Sequence, residues 1–247
     1  MLGFDWTAFL LGGLAALLVG FSKTGMPGAA IPAVALMAEA FREETKLSVG
    51  AMLPILLVGD LFALAYYRRH AHWGRLVELF PYVLAGMVPG YLVLWLAPSD
   101  TFRVLLGVII LVLLALQVAR QRFSWQPLPD RRWLVGTTGL LAGFGTTVGN
   151  AAGPVMSIYL IGQRLDKQEF LGTAAWFFFL VNASKIPGFF LLGMITRQTL
   201  RLDSALIPIV MLGALTGVFV VKRIPQSVFN LLVLLLAGIA ALRMVLS

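Results

Sequence analysis

The chain has no cysteine, few charges and very few ionisable side chains inside its apolar stretches. The absence of cysteine from all 247 residues excludes disulfides, thiolate nucleophiles and cysteine-ligated metal clusters, and says nothing of redox compartment. Charged residues are 12% of the chain, against roughly a quarter in an ordinary soluble domain. No polar stretch is longer than the dozen or so residues around Arg120 to Arg132, so no separate soluble domain fits. His-Glu-x-x-His and Gly-x-Ser-x-Gly are both missing, as is any paired-carboxylate cluster in the apolar runs, which argues against an intramembrane hydrolase or transferase. A carrier of cations or metal ions, the other alternative, should place several acidic side chains at the membrane midplane, and only Asp60 is read there.

What is present is apolar sequence, 60% of all residues, in runs that match the roughly 20 residues needed to cross a bilayer. The reading is an all-α polytopic membrane protein with a single transmembrane domain over residues 1–247. The formal charge of +8 falls in links between apolar runs, where topology signals belong, so the lipid bilayer and not nucleic acid is the expected partner. Met1 to Asp5 carries no positive charge ahead of the first apolar run, and that run is expected to stay in the mature protein.

The first apolar region, residues 6–41, is too long for one span and too short for two with a loop. A broken or re-entrant hairpin fits: a first helix ending near Gly20, a turn over residues 22–27, and a second helix from about Gly28 to Ala40. Pro27 suits a helix start, and Gly25 and Gly28 permit a tight reversal. Spans follow at residues 47–67, 76–96 and from Pro98 to about Val118.

The second half repeats the first. Gly20-Phe-Ser-Lys-Thr-Gly-Met-Pro-Gly-Ala-Ala-Ile-Pro32 returns about 122 positions later as Gly143-Phe-Gly-Thr-Thr-Val-Gly-Asn-Ala-Ala-Gly-Pro154. Gly50 then matches Gly172, Asp60 matches Asn182, Pro81 matches Pro208, Gly86 and Gly90 match Gly213 and Gly217, and Pro98 matches Pro225. Two homologous repeats are expected at approximately 6–119 and 132–246, each a hairpin plus three transmembrane helices. Inverted halves put eleven Lys and Arg of the links on one side and six on the other, where parallel halves give ten and seven; the positive-inside rule favours inversion with both termini outside.

Three ionisable residues are read inside apolar regions: Lys23, Asp60 and Lys185. Each costs about 2.5–3.5 kcal/mol at a helix centre, so each needs a partner or a wet cavity. A buried Lys–Asp pair that only fixes packing is the plainer reading. Two lysines against one aspartate leave a formal +1, and the N-termini of the two second half-helices would each add a partial positive charge of about 0.5 if aimed inward. Ser22, Thr24, Thr146, Thr147, Asn150 and Asn182 supply donors suited to an oxyanion, together with the backbone near Gly25, Gly28 and Gly149. Broken helices whose ends meet at midplane are a recurrent transporter device.

Gly20-Phe-Ser-Lys-Thr-Gly-x-Pro-Gly, the Gly-Asp60 pair, the Tyr-Arg-Arg-His70 loop, the second Gly-Phe-Gly145 and Asn182-x-x-Lys185-x-Pro187 together resemble the sulfite exporter TauE/SafE family of bacterial membrane proteins. The resemblance covers almost the whole chain. It implies an internally duplicated transporter, not an enzyme, in the bacterial cytoplasmic membrane, handling a small sulfur-containing anion such as sulfite, sulfoacetate or another organosulfonate. On that footing Ser22, Lys23, Thr24, Gly25, Gly28, Thr146, Thr147, Gly149, Asn150, Asn182 and Lys185 are the candidate substrate-binding residues and Asp60 the candidate proton carrier.

Other features carry less. Ser22-Lys-Thr24 is similar to the end of a phosphate-binding loop but lacks its glycines. His70 and His72 have no carboxylate or thiolate neighbours, so no metal is expected, and no cofactor. The Gly86 and Gly213 pairs permit close helix packing without specifying a dimer, which leaves a homo-oligomer open. Trp6, Trp73, Trp125 and Trp133 are placed as interfacial anchors.

Overall fold

A computed structural model of the protein describes residues 6–24, 30–122, 132–163, 165–220 and 226–246. Gly25, Gly28 and Trp125 lie outside them. The described residues form ten α-helices: α1 (Trp6–Thr24), α2 (Ala30–Ala40), α3 (Thr45–Tyr67), α4 (Trp73–Leu96), α5 (Ser99–Arg122), α6 (Arg132–Gly149), α7 (Gly153–Gly162), α8 (Lys167–Leu191), α9 (Arg197–Val220) and α10 (Gln226–Leu246). In hydrocarbon every backbone N–H and C=O needs an internal partner, which the helix supplies and an open strand does not.

Among the described residues six helical stretches are long and apolar enough to cross a membrane: Trp6–Thr24, Arg42–His70, Trp73–Leu96, Ser99–Ala119, Gln168–Leu191 and Arg197–Val218. Ala30–Ala40, Gly153–Gly162 and Ala237–Leu246 are shorter apolar helices. Large apolar side chains such as Val77, Trp95, Phe190 and Leu191 point outward, as lipid-facing positions do. The protein is a multi-pass, all-helical membrane protein.

Two local devices shape the chain at the second break. Asn150 takes a positive φ of 52°, and its N–H and that of Ala151 return to the carbonyls of Thr146 and Gly145 at 3.0 and 3.1 Å. This is the left-handed helix stop that asparagine tolerates. Pro154 then stands in the first turn of α7, where its missing N–H costs nothing.

At the first break the sequence expectation needs correction. The helix does not end near Gly20 but continues through Thr24, so Ser22, Lys23 and Thr24 form its last turn instead of a loop. The Thr24 hydroxyl donates to the Ala214 carbonyl of α9 at 2.7 Å, and the Tyr67 hydroxyl donates to the Thr24 carbonyl at 3.4 Å. These contacts from neighbouring helices support the extra turn.

Glycines set how the helices meet. Gly20 lies so near α9 that a Cβ there would overlap the Val210 carbonyl, and Gly143 lies equally near the Val83 carbonyl of α4. Gly213 packs on the Leu17 backbone and Gly86 on that of Leu140, while Gly217 meets Thr24 and Gly90 meets Thr147. Each of these three pairs of matched glycines thus makes the matched contact. Bare backbone lets two helices approach closely where lipid provides no hydrophobic drive. The helices α3 and α8 run antiparallel: Gly50 abuts Met194, Asp60 bonds to Asn182, and Gly172 abuts Tyr67 and His70. Beside this crossing the end of α1 and the start of α2 line one cavity with the α6/α7 break.

Candidate functional site

A cavity of about 60 Å³ lies between the end of α1, the start of α2, the α6/α7 break and one face of α8. A single water needs about 10–15 Å³ on this scale, so the space suits a few waters or one small oxyanion. Its polar lining is Ser22, Lys23, Thr146, Asn150 and Asn182; Ile31, Val34, Leu56, Leu171 and Phe178 supply much of the apolar remainder. The first described turn of α2, at Ala30 and Ile31, and the first turn of α7, at Gly153 and Pro154, both belong to the wall.

Lys23 is the cation of this wall. Its place in the last turn of α1 suits a positive charge, because a helix C-terminus is the negative end of the dipole. Its Nζ is 2.6 Å from Asp60 Oδ1, with the side chains 8% and 0% exposed. The ammonium also stands 4.4 Å from the centre of the Phe178 ring, a favourable cation–π placement. Gly59 makes room for the lysine stem, since a Cβ there would sit 3.0 Å from Lys23 Cγ. The other oxygen of Asp60 accepts from Asn182 Nδ2 at 2.6 Å. Sequence positions matched between the halves, Asp60 and Asn182, are therefore bonded to each other.

Lys185 is differently placed. It is fully buried and is not among the residues lining the cavity, although its partners Thr146 and Asn150 are. Its Nζ donates to the Thr146 carbonyl and hydroxyl, both at 3.2 Å, and to Asn150 Oδ1 at 2.5 Å. Thr146 stands where Lys23 stands in the first half, so the ammonium of Lys185 reaches the position that lacks a lysine of its own. The Thr146 carbonyl also accepts from the Asn150 N–H at the end of α6, so Lys185 is a second donor to it. Asn150 completes the arrangement by donating to the Val49 carbonyl of α3 at 3.0 Å.

The remaining candidates divide by where their polar atoms go. Thr24 and Thr147 turn to backbone: Thr24 donates to Ala214 as described, and Thr147 donates to Gly143 one turn back at 2.8 Å. Gly149 is a packing residue, because a Cβ would sit 2.7 Å from Leu106 Cδ1. Ser22, Thr146, Asn150 and Asn182 reach the cavity.

Phe178 escapes the sequence reading and Gly59 enters it only within the Gly-Asp60 pair, although both leave a signal in it. Phe178, Asn182 and Lys185 are spaced i, i+4, i+7 and so share a face of α8; Gly59 adjoins Asp60. Asp203, near the start of α9, is also missed as an ionisable group within an apolar region. It is 2% exposed, and neither carboxyl oxygen has a partner among the described residues.

A helical, multi-pass membrane protein with a small charged cavity at paired helix breaks has the construction of a membrane carrier. The family model described as Sulfite exporter TauE/SafE matches residues 8–244, nearly the whole chain, and the protein belongs to that family. Membership makes it a membrane transporter of sulfur-containing anions. Comparison with curated proteins and with solved structures gives no match.

Proposed function

We propose that the protein is a secondary transporter or facilitator that exports a small sulfur-containing anion, such as sulfite, sulfoacetate or another organosulfonate, across the bacterial cytoplasmic membrane. The observation that carries this reading is Lys23 at the wall of a cavity sized for one oxyanion. Lys23 supplies the charge, and Ser22, Asn182, Asn150 and Thr146 orient the oxygens. Lys185 keeps the α6 end in place behind them. Asp60 is the group able to carry a coupling proton.

The same geometry supports alternating access between inverted halves. Helices α3 and α8 hold matched positions yet cross antiparallel, which favours one half being turned over in the membrane relative to the other. The crossing lies at Asp60 and Asn182, beside the cavity. Rocking of the halves about that crossing would open the site to either side in turn.

The test is uptake of labelled sulfite and sulfoacetate into proteoliposomes holding the purified chain. Saturable uptake that Lys23→Met abolishes is the expected result. Uptake that survives Lys23→Met, or a preference for divalent cations over both anions, removes the reading.

A further inference from the structure

We propose that the transported anion and Asp60 compete for the single ammonium of Lys23, so that each anion bound brings one proton onto Asp60. This deepens the function proposed above and rests on the cavity being the anion site.

The argument begins with charge. At the cavity wall Lys23 and Asp60 form an ion pair with a separation of 2.6 Å, and such a pair presents an incoming anion with no net charge. The charged groups whose fields reach Asp60 are Lys23 from α1 and Lys185 from α8; among the described residues α2, α5 and α9 add none. Lys185 does not take over from Lys23, because its Nζ is held by Thr146 and Asn150 and it is not among the residues lining the cavity. The attraction for an anion therefore has to come from Lys23, once Asp60 has released it.

Release leaves Asp60 fully buried with Asn182 as its partner. An unpaired carboxylate in that position is strongly disfavoured, and a proton removes the charge. The proton goes to Oδ1, the oxygen that Lys23 vacates, while Oδ2 keeps its hydrogen bond from Asn182. It comes from the bulk solution, as hydronium relayed through the water that enters with the anion, so no hydroxide is left in the cavity. Lys23 has a short way to go: its ammonium already lies over Phe178, itself a cavity residue. A monoanion and a proton together leave the formal charge of the site as it was, so the empty and loaded carriers meet the same electrostatic barrier in the membrane.

The two halves also set the stoichiometry. The second half has Thr146 where the first has Lys23, and Asn182 where it has Asp60, so there is one exchangeable carboxylate and one proton for each anion.

Methanesulfonate is the probe, since it stays a monoanion across the pH range of interest and any proton counted belongs to the protein. Its binding to the full chain in detergent is measured by calorimetry at about pH 6 and about pH 8, each in two buffers of different ionisation heat. Linkage of one proton makes binding up to about tenfold weaker per pH unit. The expected result is at least tenfold tighter binding at the lower pH, with close to one proton taken up per anion. In Asp60→Asn both the pH dependence and the proton uptake should vanish, with affinity at the higher pH no weaker than that of the unaltered chain. Binding without proton uptake overturns the competition and leaves the anion site standing; an Asp60→Asn chain that still takes up a proton overturns it as well. If that variant does not fold, the proton count on the unaltered chain decides alone. Absence of methanesulfonate binding at either pH, or full affinity in Lys23→Met, overturns the site itself.

Discussion

Lys23 and Lys185 bring their ammonium groups to corresponding breaks in the two halves of the molecule, and their surroundings could hardly differ more in kind. Lys23 lies at the cavity wall, paired with a carboxylate. Lys185 is enclosed and held by uncharged oxygens of Thr146 and Asn150. Placing either in a membrane costs about 2.5–3.5 kcal/mol, yet that cost is met in two ways. Uncharged acceptors near a helix end hold Lys185. A carboxylate holds Lys23, and on the proposed mechanism its protonation frees the lysine to change partners. The comparison teaches that an intramembrane lysine is assigned a role by what holds it, and not by its presence in the apolar sequence.

The largest expected effect comes from Lys23→Met. Sulfonate uptake should fall at least about 100-fold, and removing one member of a buried pair should cost about 3–5 kcal/mol of stability. The double variant Lys23→Met with Asp60→Asn separates the two consequences: thermal unfolding in detergent should recover most of the loss, while uptake stays absent. Transport by the double variant would break the contrast between the lysines.

Lys185→Met should behave as the loss of a strut. Hydrogen bonds to charged groups are worth about 1.5–3 kcal/mol, so its unfolding transition should move by that order while the folded protein binds methanesulfonate within about tenfold of the unaltered chain. A variant with an unchanged transition and no binding would instead place Lys185 on the anion.

Gly20→Ala and Gly143→Ala sharpen the comparison between halves rather than lysines. Each forces a methyl group against backbone of a helix from the other half, for which overpacking of about 1–3 kcal/mol is expected. Equal losses measured by the same unfolding assay would support equivalent interfaces; a loss at only one would show that the halves bear load differently. The smallest difference is expected between two substitutions of Asn150 that lose the same side-chain contacts, because its φ of 52° suits glycine. Asn150→Ala should be less stable than Asn150→Gly by about 1–2 kcal/mol, the usual strain of a left-handed residue.

Much of this frame is legible in the sequence. The expected span over residues 76–96 is close to α4 (Trp73–Leu96), because an apolar run bounded by Trp73 and Pro98 has few ways to end. The second break is legible too, since Gly-Asn followed by Gly-Pro is a helix stop and start in one stretch. The first is less so. Glycines and prolines suggested a turn beginning at Ser22, but Tyr67 and Ala214, more than forty and nearly two hundred positions away, extend the helix through Thr24. The donors Thr24 and Thr147 could be named from their place near the breaks, yet both turn to backbone carbonyls, a choice made by the nearest acceptor. Phe178 reads as one more apolar residue on α8 until Lys23 is seen above its ring.

Composition, span length and the Gly-Asn and Gly-Pro signals determined by themselves that this chain enters a membrane as helices, that one helix stops at Gly149 and the next starts at Gly153, and which polar residues stand near that interruption. These are local matters: hydrocarbon demands internally bonded backbone, and proline, glycine and asparagine act within a turn of where they stand. Only the tertiary structure decided that Lys23 meets Asp60, that Asp60 meets Asn182, and that Lys185 is enclosed while Lys23 reaches a cavity. Those outcomes depend on burial and on distances of a few ångströms between helices far apart in the chain, and electrostatic energies change steeply with both.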